Sequence, residues 1–279
     1  LRAGRFWCES LKFVDRIILG SRGSDLALAQ SRIVAKKLRA AHGKLSIEVK
    51  VIKTTGDKRL DLSLSDSPER GLFTRELEEA LLAGKVHAAV HSLKDLPTDQ
   101  PDGIVIGAIL ERADSSDVLV SKRPGGLAGL PIGAAVATSS PRRQVQILLL
   151  RQDLRVVEIR GNIPTRLRKL TADQSLEGLV LAKAGLDRLG QRFVPAGLHV
   201  DIVEEILPAP GQGAIAVECR RDDAVVTRLL AGIHHEATAL CVTAERDFLR
   251  AQGGGCHNAI AARAILVDGK LILRTFPPS

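Results

Sequence analysis

The chain predicts an α/β fold built from more than one unit, on three observations. Short apolar runs alternate with stripes of helical period along most of its length, the pattern of strands exchanging with helices. Its 279 residues exceed what one small core needs, since domains commonly hold about 100–200. Hydrophobic residues at 45% and charged residues at 26% sit near the globular average, which excludes disordered and fibrous chains.

The elements follow in order. Ile17 to Leu19 reads as a strand entering Gly20-Ser21-Arg22-Gly23-Ser24, and Leu26, Ala29, Ile33, Val34 and Leu38 then recur at helical spacing until Gly43. Ile47, Val49 and Val51 alternate as a strand does. Leu72, Phe73, Leu77 and Leu81 make a helical stripe ending at Gly84, and Val86 to Val90 is a small-residue strand running into His91-Ser92-Leu93-Lys94-Asp95. Ile104 to Ile109 and Asp117 to Val120 read as strands flanking a polar break, Glu111 to Ser116, that suits a crossing between units. After the Gly-rich turn from Pro124 to Leu130 the pattern restarts: strand Ile132 to Ala137, helix Ser140 to Arg151, strand Val156 to Ile159, helix Ile163 to Leu170, strand Gly178 to Leu181. Leu207 to Gly213 is a second crossing, and Ala214 to Glu218 a strand returning to the first block. A helix from Glu236 to Arg250, the loop Gly253-Gly254-Gly255-Cys256 and a hairpin from Ala261 to Leu273, turned by Asp268-Gly269, close the chain. That last unit is too small to bury much core alone and must dock on its neighbours.

A net charge of +8, from 40 Lys and Arg against 32 Asp and Glu, suggests an anionic partner: nucleic acid, an acidic membrane or a poly-carboxylate. Six Phe, one Trp and no Tyr give a single-strand binder little to stack on. No run approaches the ~18 apolar residues of a membrane span. Leu1 to Arg16 lacks a signal peptide's apolar stretch and reads as an N-terminal extension. The expected compartment is the cytoplasm, or a plastid if that extension belongs to a processed precursor. Cys8, Cys219, Cys241 and Cys256 show no C-x-x-C spacing, so neither a zinc knuckle nor a disulfide framework is indicated. The first three read as small buried side chains.

The strongest local signal is Thr138-Ser139-Ser140-Pro141-Arg142-Arg143. A strand ending in three hydroxyls, with Ser140 as N-cap, Pro141 at the first helical position and two arginines in the first turn, gathers donors and cations at one anion-binding spot. Cations there oppose the helix dipole, so stability alone does not place them. Ile159-Arg160-Gly161-Asn162 followed by Arg166, Arg168 and Lys169 repeats the design, and Arg22 with Ser24 gives a third instance. Three such sites at strand ends on two facing blocks point to a cleft gripping several carboxylates or phosphates, although each arginine alone also suits a solvated surface. Lys94-Asp95 offers a carboxylate beside a cation, for proton exchange or for stabilising a cationic intermediate; a simple turn pair is the competing reading. His87 and His91 have helical ligand spacing on a run that reads as a strand, with no third ligand, so no metal is expected. Cys256, after three glycines, suits a covalent attachment point or nucleophile as well as a surface thiol. Gly211-Gln212-Gly213 is a weak glycine signal, and neither nucleotide-binding glycine motif is present.

In this order the segments closely resemble the porphobilinogen deaminases, also called hydroxymethylbilane synthases, from about Ile17 to Ala264. The match runs through Gly20 to Ser24 with Leu26 to Gln30, Thr55-Gly56-Asp57, Gly71 to Glu78, His91 to Pro97, Ala137 to Gln144, Ile159 to Leu170, Leu181 to Leu186, Pro208 to Ala214 and Glu245 to Cys256. The resemblance implies two α/β lobes like those of periplasmic binding proteins plus a small α/β third domain, here shortened. The expected division is an extension at 1–16, domain 1 at 17–112 and 212–231, domain 2 at 113–211 and domain 3 at 232–279. It also implies a dipyrromethane cofactor in thioether linkage to Cys256. That primer is extended by four porphobilinogens with loss of ammonia, and hydroxymethylbilane is then released by hydrolysis. Asp95 would be the catalytic carboxylate, with Lys94 beside it. Arg22, Ser24, Ser92, Lys94, Thr138, Ser139, Ser140, Arg142 and Arg143 would hold the cofactor. Arg22, Gln30, Phe73, Arg160, Arg166 and Arg188 would hold substrate. The implied enzyme is a monomer whose partner is the small-molecule substrate, not nucleic acid or a membrane.

The sequence departs from the family in four places: Ser65 to Arg70 keeps one cation where glycines and lysines are usual, His257-Asn258-Ala259 follows the cysteine, Pro141 replaces a common Leu, and the chain stops soon after Cys256. Two other classes fit parts of the pattern. A non-catalytic two-lobed anion-binding protein would need the arginines but neither Asp95 nor Cys256, and a basic nucleic-acid binder would bind with a steep salt dependence.

Overall fold

The computed structural model describes residues 15–54, 74–190, 193–253 and 259–276; Cys8, Phe73 and Cys256 lie outside the described residues. The chain begins with β1 (Arg16–Ser21), α1 (Asp25–His42), β2 (Ser46–Val51), α2 (Arg75–Leu82) and β3 (Ala88–Ser92), which turns through a single 3-10 turn at Leu93–Asp95. β4 (Ile104–Ile109) and β5 (Asp117–Ser121) follow. Then come β6 (Ala135–Ala137), α3 (Pro141–Leu150), β7 (Arg155–Val157), α4 (Ile163–Ala172), β8 (Leu176–Ala182), α5 (Lys183–Leu189) and β9 (His199–Val203). β10 (Ile215–Arg220), α6 (Ala224–Ala231), α7 (Glu236–Ala251), β11 (Ala261–Val267) and β12 (Lys270–Phe276) complete the order.

Two five-stranded sheets share one design. The first runs β2-β1-β3-β10-β4 and the second β7-β6-β8-β5-β9. In each, four strands point the same way and the fourth in the order runs against them. Those fourth strands, β10 and β5, are the first strands after the two crossings, so each crossing delivers its strand into the sheet of the other lobe. Ile17, Leu19, Val34, Leu38 and Val217 pack on one face of the first sheet, and Leu77, Leu81, Val86 and Ile104 on the other. Val118, Leu167, Leu179 and Leu181 cover one face of the second, and Leu119, Val136, Ile147 and Val180 the opposite face. Among the described residues no helix is long and apolar enough to cross a membrane.

Local chemistry explains the helix starts. The Ser24 hydroxyl accepts from the Ala27 amide at 3.3 Å, Ser140 from Arg143 at 3.4 Å with Pro141 opening the helix, and Asn162 from Thr165 at 2.9 Å. Asp268 and Gly269, with φ of 50° and 73°, make the tight turn between β11 and β12. One expectation fails for a local reason. The strand expected from Ile132 begins only at Ala135, because Ile132 is 90% exposed and Gly133, at φ 74°, turns the chain after Pro131. The edge strand β9 went unread although Val200 and Ile202 alternate with His199 and Asp201, and both apolar side chains are exposed.

The closing unit is held by one carboxylate. Glu245 on α7 is fully buried and pairs bidentately with Arg112, at 2.6 and 3.0 Å. It also accepts from the backbone of Gly211 at 2.8 Å and of Ala264 at 2.7 Å. One side chain thereby joins both crossings to α7 and β11. Glu245→Ala strands a partly buried guanidinium and two amides, and should lower unfolding free energy by about 3–5 kcal/mol. Urea denaturation checks this, with Glu245→Gln expected to lose less because it keeps an acceptor.

Candidate active site

The parallel strands of both sheets end on the same cleft. β1 ends into Arg22, β3 into Lys94 and Asp95, β6 into Ser139, β7 into Arg160, and β8 into the α5 segment carrying Arg188. This is the expected place for a ligand in sheets of this kind. The cleft encloses about 750 Å³.

On the first lobe, Gln30 is buried on α1 and donates to the Ser92 hydroxyl at 2.8 Å. Ser24 reaches the cleft at the start of α1, where its oxygen already caps the helix. Asp95 is exposed to the cleft at the end of the 3-10 turn. Arg246 of α7 braces that turn from behind by donating to the carbonyls of Leu96 at 3.1 Å and Pro97 at 2.6 Å. Lys94 lines the cleft and donates to Gln212 Oε1 at 3.3 Å. Burial lowers its pKa to about 8; Asp95 works against that shift, while Arg143 and Arg142 add to it.

On the second lobe the two consecutive arginines part company. Arg143 lines the cleft, with Nη2 on Asp117 Oδ1 at 2.7 Å and Nη1 on the Val180 carbonyl at 3.0 Å. Arg142 is turned into the interior, where it meets Asp117 Oδ2 at 2.8 Å and the Leu207 carbonyl. Burial alone would raise the Asp117 carboxyl, but Arg143 and Arg142 hold it well below the usual carboxylate range. Thr138 and Ser140 are not among the residues lining the cleft, and their hydroxyls are used locally, Thr138 accepting from the Ser140 amide and Ser140 from the Arg143 amide. Ser139 lines the cleft and donates to the Ile159 carbonyl. Arg160 pairs with Glu158 at 2.8 Å. Arg166 donates to the Gly161 carbonyl at 2.6 Å, and burial with repulsion from Arg143 and Arg160 lowers its pKa to about 10. Arg188 donates to the Gly213 carbonyl at 2.6 Å, and burial takes it to about 10 as well. The field of Asp95 reaches Arg166, which joins the lobes electrostatically.

Sequence reasoning missed Lys53, Asp117 and Gln212. Lys53 lies just past the end of β2, a position that the strand-end rule flags. Asp117 and Gln212 gave no local signal, because their roles depend on contacts between distant segments. The histidines and cysteines have local explanations. His87 Nδ1 accepts from the Ile18 amide at 2.9 Å, and His91 pairs with buried Glu218 at 3.0 Å. Cys219 and Cys241 are buried, and burial raises both thiols.

The Lys94 shift sets a pH dependence. Below about pH 8 both folded and unfolded chains keep its proton, and between 8 and the ordinary 10.5 only the unfolded chain does. Stability therefore gains with rising pH across that window. Thermal denaturation of Lys94→Met should show its advantage over the native chain shrinking from pH 8 to 10.5; a constant difference would contradict the assignment.

The family model described as "Porphobilinogen deaminase, dipyromethane cofactor binding domain" matches residues 17–228. A porphobilinogen deaminase of Syntrophomonas wolfei is 48% identical over 261 residues, covering 92% of this chain and 83% of that protein. One of Rubrobacter xylanophilus is 50% identical over 259 residues, covering 93% and 83%. Among solved structures, the methionine binding protein MetQ superposes with a TM-score of 0.48 at 15% identity, over 81% of this chain and 93% of that one, too loosely to bear on function. A family match across more than half the chain, joined to near-half identity over most of its length, places this chain in the porphobilinogen deaminase family.

Proposed function

We propose that this chain condenses four porphobilinogen molecules head to tail onto a dipyrromethane primer, with loss of ammonia, and releases hydroxymethylbilane for tetrapyrrole and heme synthesis. The observation that carries this reading is the charge of the cleft. Arg22, Lys53, Lys94, Arg143, Arg160, Arg166 and Arg188 line it, against Asp25 and Asp95. Each pyrrole unit brings an acetate and a propionate, so the primer and every added unit need cations. Seven cations against two carboxylates in about 750 Å³ fit a poly-carboxylate of this size.

When bound, the dipyrromethane group supplies the electron-rich pyrrole carbon to which the first substrate is joined. Cys256, which lies outside the described residues, would hold it by a thioether. Arg22, Ser24, Ser92, Lys94, Ser139 and Arg143 fix its carboxylates from both lobes, while Thr138, Ser140 and Arg142 support that wall from within it. Arg160, Arg166 and Arg188, with Gln30 and Phe73, orient the incoming substrate. Asp95 stabilises the positive charge that develops on a pyrrole nitrogen as ammonia departs, and takes and returns the protons of the condensation. Its exposed carboxylate, with Arg246 bracing the turn from behind, is suited to that part. The 1–16 extension and domains at 17–112 with 212–231, 113–211 and 232–279 remain our division of the chain. We place the reaction in the cytoplasm, carried out by a monomer on a small molecule, without nucleic acid or membrane.

Intact-protein mass spectrometry tests the attachment: a dipyrrole adduct on the native chain, absent from Cys256→Ala. An unmodified native chain that still consumes porphobilinogen would sink the covalent primer. Asp95→Asn should fold with an unchanged melting temperature and lose at least ~100-fold in kcat, measured by porphobilinogen consumption.

A further inference from the structure

Gln212 is fully buried on the second crossing. Its amide nitrogen donates to the Ser115 carbonyl at 2.8 Å and to Asp117 Oδ1 at 2.8 Å, and its oxygen accepts from Lys94 Nζ at 3.3 Å. Both hydrogens and the oxygen are therefore used. Turning the amide over would set its oxygen against a carbonyl and a carboxylate, and an N–H against an ammonium, so the orientation is fixed. Asp117 Oδ1 receives Arg143 as well, and Arg143 faces the cleft. The backbone at this point is held as well. Arg112 donates to the Gln212 carbonyl at 2.8 Å, and Gly211 and Gly213 on either side adopt φ of 74° and 89°. The four side chains thus form one connected chain beneath the cleft lining: Lys94 donates to Gln212, Gln212 donates to Asp117, and Arg143 donates to the same carboxylate from the other side.

We infer that Gln212 is a positioning residue that tethers the Lys94 ammonium to the Asp117–Arg143 pair, so that an anion taken up by Arg143 tightens the hold on Lys94. An incoming carboxylate competes with Asp117 for the Arg143 guanidinium. Relieved of part of that partner, Asp117 draws harder on the Gln212 N–H, and the polarised amide oxygen becomes a better acceptor for Lys94. Lobe 2 thereby reports its occupancy to the segment of lobe 1 that carries Asp95. This deepens the function proposed above and rests on it only for the identity of the anion.

Competitive acylation of the full chain with acetic anhydride, read by mass spectrometry across pH, gives the protonation midpoint of Lys94 without any turnover. Gln212→Met removes the acceptor and should lower that midpoint by about half a unit or more, while Gln212→Glu places a carboxylate there and should raise it. Both variants should lose about tenfold in kcat for porphobilinogen with KM held within about twofold, since a tether acts on position rather than on substrate capture. A midpoint unmoved in Gln212→Met, or moved the same way in both variants, overturns the tether. If Gln212→Met does not fold, a midpoint that fails to rise in Gln212→Glu overturns it alone. Opposite shifts in the two variants, together with a native chain that consumes no porphobilinogen, would refute the proposed function and leave the tether standing.

Discussion

The rest of the structure depends on the two crossings running side by side. Ala113 donates to the Gly213 carbonyl at 3.2 Å, and a Cβ at Gly213 would lie 2.6 Å from the Ala113 oxygen, at a φ of 89°. Only glycine permits that approach. Because the crossings touch, Arg112 of one can donate to the Gln212 carbonyl of the other while pairing with Glu245. Because each crossing delivers an antiparallel strand into the opposite sheet, the two sheets are joined by two adjacent connections rather than one. The parallel strand ends of both lobes are thereby brought onto a common opening.

That arrangement explains how so many cations are tolerated in one place. A buried charge without a partner costs several kcal/mol, and the fold meets this differently on each wall. Arg142 and Arg143 are neighbours in the first turn of α3, about 100° apart around its axis, so one points inward and the other into the cleft. Asp117, fully buried, takes both. Arg166 and Arg188 rest instead on the carbonyls of Gly161 and Gly213, which satisfy donors without cancelling charge. The field left over is positive where the ligand would sit and neutralised where it would only destabilise the lobe.

What the sequence revealed follows from the range of each interaction. Helix starts were legible because Ser24, Ser140 and Asn162 act on amides three residues away. The cleft was legible in outline because strand-end positions need only the local pattern of strand and helix. The division of labour between Arg142 and Arg143 was not, since it is decided by Asp117, which joins them from another strand of the sheet. Gln212 was opaque for the same reason: its partners lie 97, 95 and 118 residues away. Its flanking glycines were visible as a weak motif without an assignable purpose. Two further helices, α5 and α6, escaped because they are short and their apolar stripes interrupted, by Gly185 and Asp187 in one and by Thr227 and Arg228 in the other. They are stabilised by packing rather than by propensity.

The same contrast of range bears on Asp95. Its identity as a candidate rests on a local segment, yet its usefulness rests on distant residues. Arg246 of α7 fixes the backbone just beyond it, and α7 is fixed in turn by Glu245 on Arg112 and Gly211. Asp95 stands just before the Leu96 and Pro97 carbonyls that the guanidinium holds, opposite Arg166 on the other lobe, which feels its charge. The closing unit, too small to bury much core of its own, therefore braces the backbone next to the one from which the carboxylate projects.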